Sequence, residues 1–139
     1  MSVEVTGIDH ICIAVSDLDR SEKFYDAVMT VLGFRKNKFL NEDEPHVQYY
    51  NRHFSFVLRP ARISSPHNPF APGLHHFCFR VGDTVAVDEA AKRFGEAGID
   101  CDAPQFYPEY APDYYAIYFS DPDGIRLELN NDRPGRRAS

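Results

Sequence analysis

The stretch His76-Phe77-Cys78-Phe79-Arg80-Val81 decides the fold, because the chain contains nearly the same stretch close to its start. The earlier copy is His10-Ile11-Cys12-Ile13-Ala14-Val15, in which His, Cys and Val stand in the same order at the same spacing. The two histidines are 66 residues apart, close to half of the 139 residues. Two copies at this separation indicate a duplicated module rather than an array of short repeats.

Both copies carry large apolar residues at every second position, a pattern that predicts a half-buried strand. In the first copy, Ile11, Ile13 and Val15 point to one face, which leaves His10 on the opposite and more polar face. The same alternation places His76 on the polar face of the second strand. Each module is therefore expected to begin with a strand whose open face carries a histidine.

Composition excludes several classes of function. The net charge of −6 argues against a nucleic-acid or anionic-membrane partner. No apolar run approaches the ~18 residues of a membrane helix, and the N-terminus lacks the basic and apolar regions of a signal peptide. The odd number of cysteines, two of them in the repeated strands, indicates reduced thiols at Cys12, Cys78 and Cys101. We therefore expect a cytoplasmic protein with a small-molecule substrate.

The two halves of the chain show the same order of predicted elements. The first half continues with a helix between Asp17 and Gly33 and with strands at 35–40, 46–50 and 53–59. The second half continues with a helix over 84–97 and with strands at 99–103, 114–119 and 125–130. The sequence thus predicts an α+β domain over 1–130, with βαβββ modules at about 5–60 and 74–130, a linker at 61–73 and a flexible tail at 131–139.

The last predicted strand adds a carboxylate to the two histidines. Ile125, Leu127 and Leu129 form its apolar set, so Glu128 lies on the polar face. Two imidazoles and one carboxylate on a concave sheet would bind a divalent ion and leave positions open for substrate. Taken alone, each residue is better explained as a satisfied strand histidine or a solvated edge carboxylate, and it is the repeat that favours the metal site.

These features resemble the vicinal oxygen chelate superfamily, which includes glyoxalases, extradiol dioxygenases, fosfomycin-resistance enzymes and bleomycin-resistance proteins. The resemblance rests on the paired first strands, on the segment from Phe24 to Phe34, and on the motif from Asp121 to Leu129. It implies a curled mixed sheet around a metal-bearing cleft, a homodimer, and one divalent ion (Fe, Mn, Zn or Ni). The metal ligands of the family fall on His10, His76 and Glu128. Of the adjacent histidines, His76 shares the register of His10 and His75 does not.

Departures from the family patterns bear on the reaction. Glyoxalase I has a fourth protein ligand at the position of Val57, which cannot bind a metal, so a glutathione-dependent glyoxalase is disfavoured. Tyr118 matches a tyrosine of the extradiol dioxygenases, although the histidine that their signature expects is replaced around Glu109. Tyr118 is therefore interpreted either as a catalytic residue beside Glu128 or as an aromatic wall of the cleft.

Other polar residues are weaker candidates. Arg80, Arg126 and Tyr114 could bind substrate, and pairing with nearby carboxylates is the alternative for the two arginines. The tyrosines before the last hairpin could form an aromatic pocket or a dimer contact. The remaining histidines are expected at the surface or in loops; they are His46, His53 and His67.

The resulting hypothesis is a metal-dependent enzyme of the glyoxalase/dioxygenase type, in which the ion binds two adjacent substrate oxygens. The reaction would be that of a lyase or isomerase, an oxidative ring cleavage, or the addition of a nucleophile to an epoxide. The alternatives are a metal-free small-molecule binding protein of the bleomycin-resistance type and a partner-binding domain with a relict site.

Overall fold

The computed structural model describes residues 1–135. These residues form two compact units, one of residues 1–65 and one that begins at Pro66. Each unit contains one helix and a four-stranded mixed sheet, and this arrangement confirms the predicted pair of βαβββ modules. No helix within residues 1–135 is both long and apolar enough to cross a membrane.

The first unit follows the predicted order of elements. They are β1 (His10–Val15), α1 (Leu18–Val31), β2 (Arg35–Asn41), β3 (Glu44–Tyr50) and β4 (Ser55–Pro60). The sheet has the order β1-β4-β3-β2, with β1 parallel to β4 and the other neighbours antiparallel. The Asp17 carboxylate caps α1 by accepting from the backbone N–H of Arg20 at 3.1 Å. After the helix, Gly33 adopts a φ of 77°, a conformation that glycine takes without steric cost.

Helix α1 covers one face of the first sheet. Tyr25 of the helix is fully buried, and its ring centroid lies 5.2 Å from that of Phe56 on β4. The opposite face remains open, because His10, Cys12 and Ala14 of β1 are exposed while the alternate residues Ile13 and Val15 are buried. The predicted alternation of β1 is therefore confirmed.

The second unit repeats this arrangement. Its elements are β5 (His76–Val81), α2 (Thr84–Glu96), β6 (Gln105–Phe106), β7 (Tyr115–Ser120) and β8 (Arg126–Asn131). The sheet has the order β5-β8-β7-β6, with β5 parallel to β8. Asp83 caps α2 through the backbone N–H of Ala86, and Phe94 of the helix packs against Phe119 of β7 at 5.0 Å between ring centroids.

The strand predicted at 99–103 is wrong. Only Cys101 forms a bridge there, with Phe119, and the short strand β6 begins later, at Gln105. Pro104 explains the shift, because it has no N–H to donate to a sheet and so interrupts pairing beside β7. The tail predicted at 131–139 begins at the last residue of β8, and its residues 136–139 lie outside the described part.

Candidate metal centre

Three strands of the second unit place side chains in one row on the face opposite α2. Glu128 of β8 is the register partner of Cys78 on β5 and of Tyr118 on β7. Register partners share a face of the sheet, whereas their neighbours Leu127 and Leu129 are fully buried on the other face. Glu128 therefore projects from the middle of the open face.

His76 contacts this carboxylate from the start of β5. Its Nε2 atom lies 3.3 Å from Oε1 of Glu128. The His76 side chain is 42% exposed, whereas that of Glu128 is only 2% exposed. The Nδ1 atom of His76 lies 2.9 Å from Nδ1 of His75, so one of these two rings donates to the other. An imidazole nitrogen and a carboxylate oxygen thus lie next to each other, on the accessible side of a buried acid.

The second oxygen of Glu128 is held by a tyrosine. The Tyr114 hydroxyl donates to Oε2 of Glu128. Burial raises the pKa of Tyr114, and the hydrogen bond to Glu128 raises it further. The pKa of Tyr118 is also raised, chiefly by burial and then by the charge of Glu128. Both phenols are therefore neutral hydrogen-bond donors at neutral pH.

Burial also affects the acidity of Cys78, the cysteine in this row. It raises the pKa of Cys78 to about 12, and the nearby charge of Glu128 acts in the same direction. The thiol is therefore protonated at neutral pH and is not a nucleophile of its own. The Cys78 thiol donates to the carbonyl of Phe79 at 3.5 Å.

A tyrosine-rich loop explains why Glu128 is buried on an otherwise open face. Tyr107 stacks on Tyr110 at 5.8 Å between ring centroids, and it meets the edge of Tyr118 at 5.5 Å. Tyr110 contacts Tyr114 at 5.3 Å, and the Arg133 guanidinium lies 4.5 Å above the Tyr114 ring. We call the four tyrosines Tyr107, Tyr110, Tyr114 and Tyr118 the tyrosine cluster.

The turn before β8 fixes the strand that carries Glu128. The buried Asp121 accepts two backbone N–H bonds through Oδ1, from Asp123 and from Ile125, each at 2.9 Å. Gly124 adopts a φ of 80°, which closes the turn without strain. The Asp-Pro-Asp-Gly sequence therefore starts β8 in the register that brings Glu128 opposite Tyr118.

His10 belongs to the first unit and is exposed on β1. Its Nδ1 atom lies 2.7 Å from an oxygen of Asp9, so Nε2 is the nitrogen left for an ion. Residues 1–135 contain no group of three or more His, Cys, Asp or Glu side chains arranged to hold a metal ion. The structure thus joins two of the three predicted ligands, His76 and Glu128, whose donor atoms fit a divalent ion. His10 as the third ligand stays a prediction.

The other predicted site residues have varied surroundings. Arg80 lies 3.9 Å from a carboxylate oxygen of Asp132, as the ion-pair alternative expects. Arg126, the register partner of His76, instead lies over the Phe70 ring at 5.2 Å. Val57 shares the open face of the first sheet with its partner Cys12, and its side chain offers no ligand atom there.

One histidine prediction is wrong. His46 is only 4% exposed, because its ring stacks on Phe39 of the neighbouring strand at 5.1 Å. Its Nδ1 atom also lies 3.0 Å from the carbonyl of Glu44. His53 and His67 lie in irregular segments, as predicted.

Sequence reasoning missed one feature of the first unit. An open cleft of about 600 Å³ lies at one end of the sheet and is lined by Gly33, Arg35, Tyr50, Asn51, Arg52 and His53. The available signal was the short turn between β3 and β4, Asn51-Arg52-His53, which carries two basic side chains without an acidic neighbour.

Comparison with known proteins gives one family and several relatives. Residues 7–129 match the Glyoxalase/Bleomycin resistance protein/Dioxygenase superfamily. The uncharacterized protein YaeR of Escherichia coli is 30% identical over 131 residues, which cover 88% of this chain and 93% of YaeR. The metallothiol transferase FosB of Staphylococcus epidermidis is 24% identical over 131 residues, which cover 92% of this chain and 83% of FosB.

Solved structures show the same fold. A glyoxylase/bleomycin resistance protein/dioxygenase domain from Frankia has a TM-score of 0.76 and 23% identity, and the match covers 94% of this chain and all of that domain. A mutant of the fosfomycin resistance protein FosX from Listeria monocytogenes, complexed with Mn(II) and 1S,2S-dihydroxypropylphosphonic acid, has a TM-score of 0.67. It is 16% identical, and the match covers 98% of this chain and all of FosX.

Proposed function

The chain belongs to the Glyoxalase/Bleomycin resistance protein/Dioxygenase superfamily, and we propose that it is a divalent-metal-dependent enzyme acting on a small molecule with two adjacent oxygen atoms. One observation carries the proposal. A buried carboxylate, Glu128, has one oxygen held by Tyr114 and the other 3.3 Å from the half-exposed His76. A carboxylate needs compensation when it is buried, and a bound cation beside a neutral imidazole supplies it.

The proposed ligands are His10, His76 and Glu128, and the ion is Fe, Mn, Zn or Ni. His76 and Glu128 are supported by their contact in the second unit. His10 is supported by the equivalent position in the repeated strand and by the contact of its Nδ1 atom with Asp9, which leaves Nε2 for coordination. When bound, the ion would polarise the substrate oxygens and stabilise negative charge that develops on them.

The protein groups around Glu128 have separate tasks. Tyr114 fixes the carboxylate by binding Oε2, so that Oε1 stays on the side of His76. Tyr118 lies opposite Glu128 and is a neutral phenol, so it donates a hydrogen bond to a substrate oxygen rather than accepting a proton as a base. Arg80, Arg126 and Tyr114 are the proposed substrate contacts at the rim of this site.

The reaction is an isomerisation or lyase reaction, an oxidative ring cleavage, or the addition of a nucleophile to an epoxide. These share a need to stabilise charge on an oxygen atom bonded to the reacting carbon. Val57 lies where a fourth ligand would be needed and disfavours a glutathione-dependent glyoxalase. The likeness to the metallothiol transferase FosB supports inclusion of thiol addition among the reactions tested.

A second candidate function is a metal-free binding protein of the bleomycin-resistance type. The observation that favours it is the tyrosine cluster, in which four rings lie beside one another next to Glu128. Aromatic side chains offer flat apolar surface with a polar tip, and this suits a planar ligand. Such a protein would bind its ligand equally well with and without metal.

We also propose a cytoplasmic homodimer, the assembly implied by the resemblance to the superfamily. A chain of 15.9 kDa would then elute with a light-scattering mass of about twice that value. A monomer mass at micromolar concentration would contradict this part of the proposal.

Metal analysis and turnover test the proposal together. The purified chain is loaded with Mn, Fe, Zn or Ni, dialysed, and assayed by mass spectrometry of the metal, beside His76→Ala, Glu128→Gln and the control His53→Ala. The expected result is about one ion per chain, lost in the first two variants and retained in the control. The loaded protein is then offered a catechol, a hemithioacetal of a 2-oxoaldehyde, and an epoxide phosphonate with a thiol. Metal-independent binding of these compounds, with no ion retained, would overturn the enzyme proposal in favour of the binding protein.

A further inference from the structure

The cleft of the first unit lies on the same face of its sheet as His10. Arg35 of β2 is the register partner of Tyr50 on β3, Tyr50 is the partner of Ser55 on β4, and Ser55 is the partner of His10 on β1. These four residues form one row across the sheet, because register partners project from the same face. Neighbouring strands lie ~4.8 Å apart, so Arg35 is about 14 Å from His10 along the row. Arg35 and Tyr50 both line the cleft.

The cleft holds positive charge that the protein does not neutralise. Neither Arg35 nor Arg52 forms an ion pair with a carboxylate among residues 1–135, although the whole chain carries a net charge of −6. Two acids of α1 are engaged elsewhere: Lys36 binds Glu22 at 2.5 Å and Asp26 at 2.9 Å. Lys36 follows Arg35 directly and therefore points to the opposite face of β2.

Neutral donors surround the two arginines. The Asn51 side chain accepts the backbone N–H groups of His53 and Phe54 through Oδ1, at 2.8 and 3.1 Å. That arrangement commits the amide oxygen to the turn and leaves the amide NH2 group as a donor. The Nε atom of Arg52 donates to Nε2 of His53 at 3.2 Å, so the remaining ring nitrogen of a neutral His53 carries the hydrogen. The polar atoms left to a ligand in the cleft are thus mainly donors.

We infer that this cleft binds the dianionic phosphate or phosphonate end of an organic ligand. Guanidinium groups bind such oxygens through paired, charge-assisted hydrogen bonds, and two of them match two negative charges. The volume of about 600 Å³ is larger than a bare anion needs and lies in the range of small-molecule sites. The Tyr50 ring supplies an apolar wall for the carbon part of the ligand.

The row from Arg35 to His10 connects this cleft with the proposed chemistry. A ligand anchored by its anionic end at Arg35 and Arg52 would extend over Tyr50 and Ser55 in the direction of His10. The ligand is then the substrate itself, with its reacting oxygens at the end remote from the dianion. The identification of the ligand as substrate rests on the proposed function, whereas binding of the anion does not.

Binding is tested with the metal-free protein, so that failure of the metal site does not affect the result. Phenyl phosphate is titrated at about pH 8, where it is a dianion, and backbone amide shifts are followed by NMR. The expected result is saturable shifts at residues 33, 35 and 50–53, with benzoate binding more weakly because it carries one charge. Arg35→Gln and Arg52→Gln should each weaken the binding of phenyl phosphate roughly tenfold or more. Arg93→Gln, an exposed arginine on α2, is the control and should change nothing.

Three outcomes would overturn the inference: no saturable shifts at these residues, equal binding of phenyl phosphate by the Arg35→Gln/Arg52→Gln double variant, or benzoate binding as tight as phenyl phosphate. The double variant should also retain the metal content of the wild type, because neither arginine is a proposed metal ligand. Once turnover is found, the double variant should raise KM with little change in kcat. A fall in kcat at unchanged KM would contradict the role as a substrate anchor.

Discussion

The Nε2 atom of His76 lies 3.3 Å from Oε1 of Glu128, although the two residues are not register partners. His76 is paired with Arg126, and Glu128 is paired with Cys78, so the contact runs diagonally between the parallel strands β5 and β8. A diagonal neighbour on the same face of a sheet is within reach of a long side chain. The contact therefore depends on the register of β8 as well as on the identity of both residues.

Replacement of His76 and of His75 should have different effects on metal content. His76→Ala should abolish retention of the ion after dialysis, because it removes a proposed ligand beside Glu128. His75→Ala should retain about one ion per chain with affinity lowered by roughly tenfold to a hundredfold, because His75 is not a proposed ligand and acts through its contact with Nδ1 of His76. Metal titration followed by mass spectrometry distinguishes the two. If His75→Ala lost the bound ion while His76→Ala retained it, His75 rather than His76 would be the ligand.

Removal of the Tyr114 hydroxyl should destabilise the metal-free protein. Tyr114→Phe leaves Oε2 of the buried Glu128 without this donor, and an unsatisfied buried acceptor costs about 1–3 kcal/mol. Tyr115→Phe is the matched control, because its hydroxyl donates to Asp88 at an exposed position at 2.6 Å. The control should cost less than about 1 kcal/mol. Urea unfolding at pH 7 measures the free energy of unfolding of both variants. Equal decreases in the two would show that the Tyr114 hydroxyl does not stabilise the buried acid.

The fold could be predicted from sequence because its determinants are local. The repeated alternation around His10 and His76 predicted both first strands, and the match to the superfamily over residues 7–129 confirms the resemblance. The error at 99–103 has a local cause, Pro104, and a non-local one. Asp102 pairs with Tyr118 of β7 through its backbone N–H and through its side chain, at 3.1 and 2.7 Å, and Pro104 then interrupts the pairing. The pairing of Asp102 with β7 cannot be recognised from the sequence of residues 99–103 alone.

The surroundings of the candidate site were predictable only in part. The alternation along β8 placed Glu128 on the open face, where the structure has it. Nothing in that alternation indicates that Tyr114 binds Oε2, because the contact depends on the path of the loop before β7. The cleft was missed for a similar reason. Arg35 and Arg52 are 17 residues apart and are brought together by the pairing of Arg35 with Tyr50 in the hairpin.

The turn before β8 should contribute strongly to stability. Asp121→Ala removes the acceptor of two backbone N–H bonds, from Asp123 and Ile125, and the second of these bonds is buried. Hydrogen bonds to a charged acceptor are worth about 1.5–3 kcal/mol, so a loss of at least about 2 kcal/mol is expected. Asp121→Asn keeps an oxygen acceptor in the same place and should lose about half as much. Chemical unfolding of the two variants checks this order, and an equal loss in both would assign the effect to charge rather than to the turn.

The stability of the first unit should depend on pH through Glu22. The hydrogen bond from Lys36 is the main cause of the lowered pKa of Glu22, whose ordinary value is 4.5. Because the folded-state pKa is depressed, the stabilising effect is complete above pH 4.5 and is lost as the pH falls through the folded-state value. Glu22→Gln should therefore lower the free energy of unfolding at pH 7 by about 1 kcal/mol, and the difference from wild type should shrink below pH 4.5. Urea unfolding between pH 7 and 3, with the exposed Glu89→Gln as control, measures this difference, and a gap that stays constant with pH would contradict the ion pair.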